Sequence, residues 1–229
     1  MQLAKLTSIE RSCMLTPSFN KKDITHVVIR TLHEGFAKVV QLSYAFPLFV
    51  GGTGRVVNHE ILLRPSASVV LGYDPYTDEV VLIEQLRSGL VACGAENPWL
   101  TEVVAGVCEP DELPVYTAKR ELFEETGIEA TTFIPIASYW VSPGGSSERV
   151  HAFCALVDAK SASTYAGLAE EGENIAVKVI SRLAYMQALA AGKIDNSAIL
   201  LCAQWLALHA DDIKHKIKQK ETVDEWIYF

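Results

Sequence analysis

Cysteine is sparse in this chain, and what there is forms no pattern. Cys13, Cys93, Cys108, Cys154 and Cys202 make five, an odd number, scattered and without a CxxC pair. That excludes a disulfide framework and a cysteine zinc site, and points to a reducing compartment. Basic residues are also in deficit: 20 Lys and Arg against 28 Asp and Glu give a net charge of -8 and a pI near 5.3. A protein that neutralises nucleic-acid phosphates directly needs the opposite balance, so an acidic protein that handles phosphate needs a metal ion between the two. Long apolar runs are missing as well. The opening MQLAKLTSIERSC has no uninterrupted apolar stretch, and the run from Ala198 to Ala210 is short and broken by Gln204 and His209. Neither has the pattern of a signal peptide or a bilayer span. The expectation is a cytoplasmic protein with neither membrane nor nucleic acid as partner.

What is present is a chain of 229 residues, 49% apolar, enough for one or two domains with a sizeable core. Residues 1 to 20 are polar with mixed signals. From Thr25, HVVIRTLHEGFAKVVQLSYAF and FVGGTGRVVNHEILLR are rich in β-branched and aromatic residues around turn-forming glycines, which predicts antiparallel strands. ASVVLGYDPYTDEVVLIEQLR places two apolar runs around the turn DPYTD, and WLTEVVAG reads as one short strand. A helix follows, with Pro114 in its first turn and Gly127 at its end. TTFIPIASYW and ERVHAFCALVDA read as strands joined by the loop VSPGGSSE. Helices then dominate: Ser181 caps one and Gly192 stops it, and SAILLCAQWLALHADDIKHKI repeats apolar residues at helical spacing. This order predicts an α+β sandwich of a sheet and flanking helices. Residues 1–60 form its β-rich N-terminal segment and residues 61–229 its main domain.

The chemistry concentrates in RELFEETG. On a helix, Glu121, Glu124 and Glu125 share one face, where like charges repel. Such a face is either a solvated acidic surface or a place that collects a cation, since carboxylates are hard ligands suited to Mg²⁺. The wider spacing favours the second. Gly106, Glu112, Arg120, Glu121, Leu122, Glu124, Glu125, Gly127 and Ile128 fit G-x5-E-x7-R-E-U-x-E-E-x-G-U, nine specified positions over 23 residues with U apolar. This resembles the Nudix box, the signature of Mg²⁺-dependent hydrolases that cut a nucleoside diphosphate linked to another group. In that reading Gly106 makes a tight loop that leaves the Ala105 carbonyl available, Leu122 and Ile128 anchor the helix, and Arg120 orients a glutamate.

Pro143 lies sixteen residues after Gly127, an offset similar to that of the ADP-ribose pyrophosphatase branch of the family. DEVVLIEQLR, NPWLTEVVAG, GLAEEGENI and GKIDN are also similar to bacterial members, so the resemblance runs from about Thr25 to His209. It implies a Nudix-type α/β/α sandwich with a mixed sheet, and hydrolysis of ADP-ribose to AMP and ribose 5-phosphate. It further implies that Ala105, through its main-chain oxygen, Glu121, Glu125 and Glu173 bind Mg²⁺, or Mn²⁺ in its place, with Glu124 close by. Glu171, in the loop GLAEEGEN, would be the base. Arg87 and Glu148 would contact phosphates or the terminal ribose, Gly106 and Ser142 would line the substrate, and Phe36 would stack on adenine. The chain departs from the family pattern between His59 and Asp74, where it is shorter and Arg64 is the arginine left for the adenine side. The N-terminal segment would pack across a homodimer.

Other readings of the same residues stay open. Glu170, Glu171 and Glu173 can be a solubilising loop, Arg87 a surface cation at a strand end, and Phe36 a core aromatic. The box does not separate ADP-ribose from another nucleotide sugar such as GDP-mannose. A non-catalytic ADP-ribose sensor is a further alternative, although the box is intact and the tail from Asp211 is too short for a DNA-binding domain.

Overall fold

The structure is a computed structural model and describes residues 16–35, 37–220 and 226–228. The chain divides into two compact units, one running to Arg64 and including Ser142–Ser147, the other comprising Pro65–Val141 and the chain from Glu148 onward.

In the first unit, β1 (Thr25–Glu34), β2 (Lys38–Ala45) and β3 (Val57–Leu63) form an antiparallel sheet in the order β1-β2-β3. β-branched residues populate all three, and Lys38 pairs with Glu34 across the turn at 2.8 Å. The connection from β2 to β3 turns through Gly51 and Gly52, whose φ angles of 94° and 79° suit glycine. Ser142–Ser147 joins this unit by backbone bonds: Leu62 N donates to Gly145 O at 2.9 Å and Ser147 N to Leu62 O at 3.0 Å. β1 is exposed along its whole length.

The second unit is built on a mixed sheet. Its strands are β4 (Ala67–Asp74), β5 (Glu79–Leu86), β6 (Trp99–Glu102), β7 (Val104–Val107), β8 (Thr132–Trp140), β9 (Arg149–Leu156), β10 (Tyr165–Ala166), β11 (Ile175–Ser181) and β12 (Ile227–Tyr228). Among the described residues the order is β10-β11-β5-β4-β9-β8-β12, with β4 and β9 parallel and the other pairs antiparallel. β4 and β5 pair only near their shared turn, through Gly72–Asp74 and Glu79–Val81. Beyond that they splay, and the chain from Trp99 to Val107 fills the gap. β6 pairs with β5 and β7 pairs with β4, so WLTEVVAG is two strands with different partners and Val103 lies at the switch. The sequence reading of one strand is corrected here: Val103 is no turn former, and nothing else between Glu102 and Val104 marks a change of partner.

The helices are α1 (Ser88–Ala92), α2 (Pro114–Thr126), α3 (Arg182–Ala190) and α4 (Ser197–Gln219). α1 is a single turn that the sequence does not signal, because Arg87 gives it no side-chain cap. α2 has a favoured residue at each end, and α3 and α4 at their starts, whereas α4 ends on Lys220 in a left-handed conformation with φ 55°. Pro114 opens α2 and Gly127 closes it with φ 73°; Ser181 Oγ accepts from Ala184 N at 3.2 Å to start α3; Asn196 Oδ1 accepts from Ala198 N at 2.9 Å to start α4. α2 buries Ala118 and Leu122 with Val70, Val81, Ile83 and Ile128 on one sheet face. Tyr185 of α3 and Ile199, Cys202 and Leu206 of α4 pack with Leu71, Tyr73 and Leu82 on the other. A sheet between two helical layers is the α/β/α sandwich expected from the sequence.

The turn between β4 and β5 is tied to the helical layer through Asp78. Its carboxylate takes two bonds from Arg182, at 2.7 and 3.0 Å, one from the Tyr73 hydroxyl at 2.9 Å, and an ion pair from Lys214 at 2.7 Å. Burial alone would raise this carboxyl, but the bonds from Arg182, Lys214 and Tyr73 outweigh it and hold the group well below the usual carboxylate range. A depressed acid stabilises the fold above its unfolded pKa, about 3.9, and that contribution fades as pH falls below it. Asp78→Asn is therefore expected to cost about 1 kcal/mol at pH 7, the partly exposed carboxylate being screened by water, and to lower Tm by about 2–4 °C. The gap between variant and parent should shrink below about pH 4 in thermal melts; a gap that widened in acid would contradict the account.

Candidate active site

One stretch of chain, Trp99–Gly127, builds most of the site. α2 carries Glu121, Glu124 and Glu125 on one side, while Leu122 between them is fully buried and fixes the helix's rotation. Arg120 Nη1 donates to Glu121 Oε1 at 2.7 Å and to Glu124 Oε2 at 2.9 Å, and Nη2 reaches Glu112 Oε2 at 3.4 Å. Partial burial works against the Arg120 charge, but these carboxylates keep it firmly protonated. Glu112 lies apart from the acidic face. It accepts from Thr117 Oγ1 at 2.7 Å and from Glu109 N at 3.2 Å, and so shapes the turn that leads into α2.

Glu125 is 1% exposed, and its Oε2 accepts from Ala105 N of β7 at 3.0 Å. Burial pushes its carboxyl up to about 8, with the charges of Glu121 and Glu173 adding to the rise, while the Ala105 bond and the charge of Arg87 oppose it. Burial likewise raises Glu121 despite Arg120. Glu121, Glu125 and Glu173 thus act on one another, although they come from two separate parts of the chain.

Gly106 requires a correction. It makes no tight loop: it sits inside β7, opposite Ser68 of β4, and it is not among the residues with positive φ. A side chain there would overlap the Glu121 carboxylate, so glycine serves by leaving room for Glu121 to lie against the strand.

The loop GLAEEGEN is also more ordered than its composition suggests. Gly167 turns with φ 99°, Ala169–Glu171 form a 3₁₀ turn, and Gly172 closes it with φ 73°. Gly167 N donates to Glu124 O at 3.2 Å, which binds the loop to the end of α2, and Leu168 N donates to Glu173 Oε2 at 3.0 Å within the loop itself. The Glu171 side chain lies outside the described residues.

Of the remaining residues named from the sequence, Arg87 stands at the end of β5, where its Nε donates to Glu102 Oε2 at 2.5 Å. Glu148 lies in the second unit, its carbonyl accepting from Val141 N at 3.2 Å. Arg64 and Ser142 belong to the first unit. Phe36 lies outside the described residues. Glu102 and Asn196 go unassigned in the sequence reading, although a glutamate within the apolar run WLTEVVAG is itself a signal.

As placed, no three His, Cys, Asp or Glu side chains among the described residues enclose a cation. The residues nonetheless fit one. The candidate donors are hard carboxylate oxygens and the Ala105 main-chain carbonyl, Gly106 leaves Glu121 the space that a Cβ would take, and burial together with the neighbouring carboxylates raises Glu121 and Glu125, which a cation would offset.

A family model described as the NUDIX domain matches residues 62–200, and the chain belongs to that family. Similar proteins cover most of its length. An ADP-ribose pyrophosphatase of Haemophilus influenzae is 39% identical over 203 residues, 88% of this chain and 94% of the relative. The ADP-ribose pyrophosphatase of Escherichia coli K12 is 41% identical over 202 residues, 88% and 96% of the two chains. A GDP-mannose pyrophosphatase of Salmonella arizonae is 30% identical over 188 residues, 81% and 95%.

Proposed function

We propose that this protein hydrolyses ADP-ribose to AMP and ribose 5-phosphate with Mg²⁺, for which Mn²⁺ can substitute. The chemistry rests on one observation: α2 sets Glu121, Glu124 and Glu125 beside a strand whose Gly106 leaves no side chain in their way. The choice of substrate follows the two relatives named as ADP-ribose pyrophosphatases, which are more similar to this chain than the GDP-mannose pyrophosphatase is.

Glu121, Glu124, Glu125 and Glu173, with the Ala105 carbonyl, would hold the cation. When bound it supplies charge neutralisation at the diphosphate and activation of water. Glu171 takes the proton of the attacking water as the oxygen bonds to phosphorus; the bond from phosphorus to the bridging oxygen breaks, and that oxygen leaves with the other phosphate. Arg87 and Glu148 hold the phosphates and terminal ribose, Gly106 and Ser142 line the substrate, and Arg64 and Phe36 serve the adenine side. The protein works as a cytoplasmic homodimer, without membrane or nucleic-acid partner, and its N-terminal segment lends residues to the neighbouring copy. Among the described residues no helix is long and apolar enough to cross a membrane. A monomer mass by light scattering at micromolar concentration would count against the dimer.

The deciding assay is hydrolysis of ADP-ribose, GDP-mannose, NADH and diadenosine polyphosphates with Mg²⁺. Fastest release of AMP from ADP-ribose is expected; faster cleavage of GDP-mannose would replace the substrate and leave the chemistry. Gly106→Ala tests the seat of Glu121. The added methyl displaces that carboxylate, and a misplacement of about 1 Å at a reacting centre costs about 100-fold. kcat/KM should fall by about that factor with Tm little changed. A fully active variant would show that Glu121 does not need its place on β7.

A further inference from the structure

We infer that Glu102 and Asn196 are positioning residues that set the Arg87 guanidinium for its anion. The inference rests on the proposed reading, in which Arg87 meets the substrate's phosphates, and adds what makes that arginine ready to do so.

Arg87 is held at both ends. Its backbone is fixed where β5 runs into α1: Arg87 N donates to Pro98 O at 2.9 Å, and its carbonyl accepts from Leu90 N at 2.9 Å and Val91 N at 3.2 Å. Its side chain is fixed through Nε, which meets Glu102 Oε2 at 2.5 Å. An end-on bond of this kind engages one of the five guanidinium N–H groups and leaves the two terminal nitrogens to face an anion. The Arg87 side chain is 37% exposed and that of Glu102 6%, so the pair has a buried anchor and an accessible cation.

A buried carboxylate with one partner would be poorly held. Glu102 has a second, because Asn196 Nδ2 donates to Oε1 at 2.6 Å. Each carboxylate oxygen thus has its own donor, and rotation of the carboxylate would break both bonds. Asn196 is fixed in turn, since its Oδ1 accepts from Ala198 N as the cap of α4. One amide therefore ties the start of a 23-residue helix to the carboxylate that orients Arg87. α4 packs on the sheet face opposite α2, so the layer far from the acidic helix takes part in placing the phosphate clamp. Freezing a guanidinium before the ligand arrives lowers the ordering cost of binding, which is the physical advantage of such a chain of contacts.

Asn196→Ser keeps a capping hydroxyl at the head of α4 but cannot reach Glu102, so it tests the link without removing the cap. Wild type, Asn196→Ser, Arg87→Ala and the double variant are compared by calorimetric titration with the methylene-bridged, uncleavable analogue of ADP-ribose in Mg²⁺, and by ADP-ribose kinetics. Asn196→Ser should weaken binding and raise KM about tenfold, with kcat within about twofold. In the Arg87→Ala background it should add nothing, because the residue it positions is gone. Binding by Asn196→Ser equal to wild type, or an equal loss in both backgrounds, overturns the inference while the proposed function stands. If wild type itself fails to bind the analogue, the reading beneath the inference fails and takes the inference with it.

Discussion

Replacing Glu125 by Gln is expected to lower kcat/KM for ADP-ribose by about a thousandfold or more while leaving the protein folded. Gln has nearly the same shape, and its carbonyl oxygen can keep the bond from Ala105 N. What it removes is a negative charge at the least exposed position of the acidic face. A cation seated among Glu121, Glu125 and Glu173 would lose a charged ligand, and a bound metal contributes several kcal/mol at the transition state. At 1.36 kcal/mol per factor of ten, loss of about 4 kcal/mol is about a thousandfold. The measurement is steady-state kinetics beside a thermal melt. Because burial and the neighbouring carboxylates disfavour the charge of Glu125 in the free protein, Gln should leave Tm equal or raised. An active Glu125→Gln protein would remove this residue from the metal set, and a collapsed Tm would mean that the variant reports on folding.

Glu171→Gln should act on a different parameter. A base that accepts the proton of attacking water works in the transition state and not in ground-state binding, so kcat should fall by about 10² to 10⁴ with KM nearly constant. The backbone around Glu171 supports the assignment. A 3₁₀ turn between Gly167 and Gly172 is tied to the end of α2 by the Gly167 bond to Glu124, and Glu173 accepts a bond from Leu168 of the same loop. A base located there is anchored to the helix that carries the other carboxylates. A change in KM alone would take Glu171 out of this role and leave it a binding residue.

Three of the helices are legible because their signals are local, whereas the single turn α1 carries none. Pro114, Gly127, Ser181 and Gly192 mark boundaries through the conformations of single residues, and the structure puts them where those conformations are needed. The acidic face of α2 follows from helical geometry alone, so its three glutamates could be grouped without a structure. The sheet was less accessible. That β6 and β7 take different partners depends on β4 and β5 splaying more than a dozen residues earlier, and no residue at Val103 marks it. The purpose of Gly106 was hidden for the same reason: its need is set by Glu121, which arrives from the far end of the box. Glu102 and Asn196 lie 94 positions apart, and pairing at that distance leaves no spacing to read.

The splayed gap between β4 and β5 also decides where this chain can change length. Strand side chains alternate from one face to the other, so a one-residue slip exchanges every contact in the strand. From Trp99 to Val107 the chain pairs with β5 and then with β4, with only Val103 between the two ladders to absorb an error. One inserted residue there would leave one ladder in frame and turn the other over, so that the residue aligned with Glu121 on β7 would carry a side chain in place of Gly106. Glu96 and Asn97, which lie between the Ala95 bond to Leu90 and the Pro98 bond from Arg87, have no such frame to keep. Natural variation in length should therefore gather there and stop at Pro98, whose carbonyl holds the Arg87 backbone.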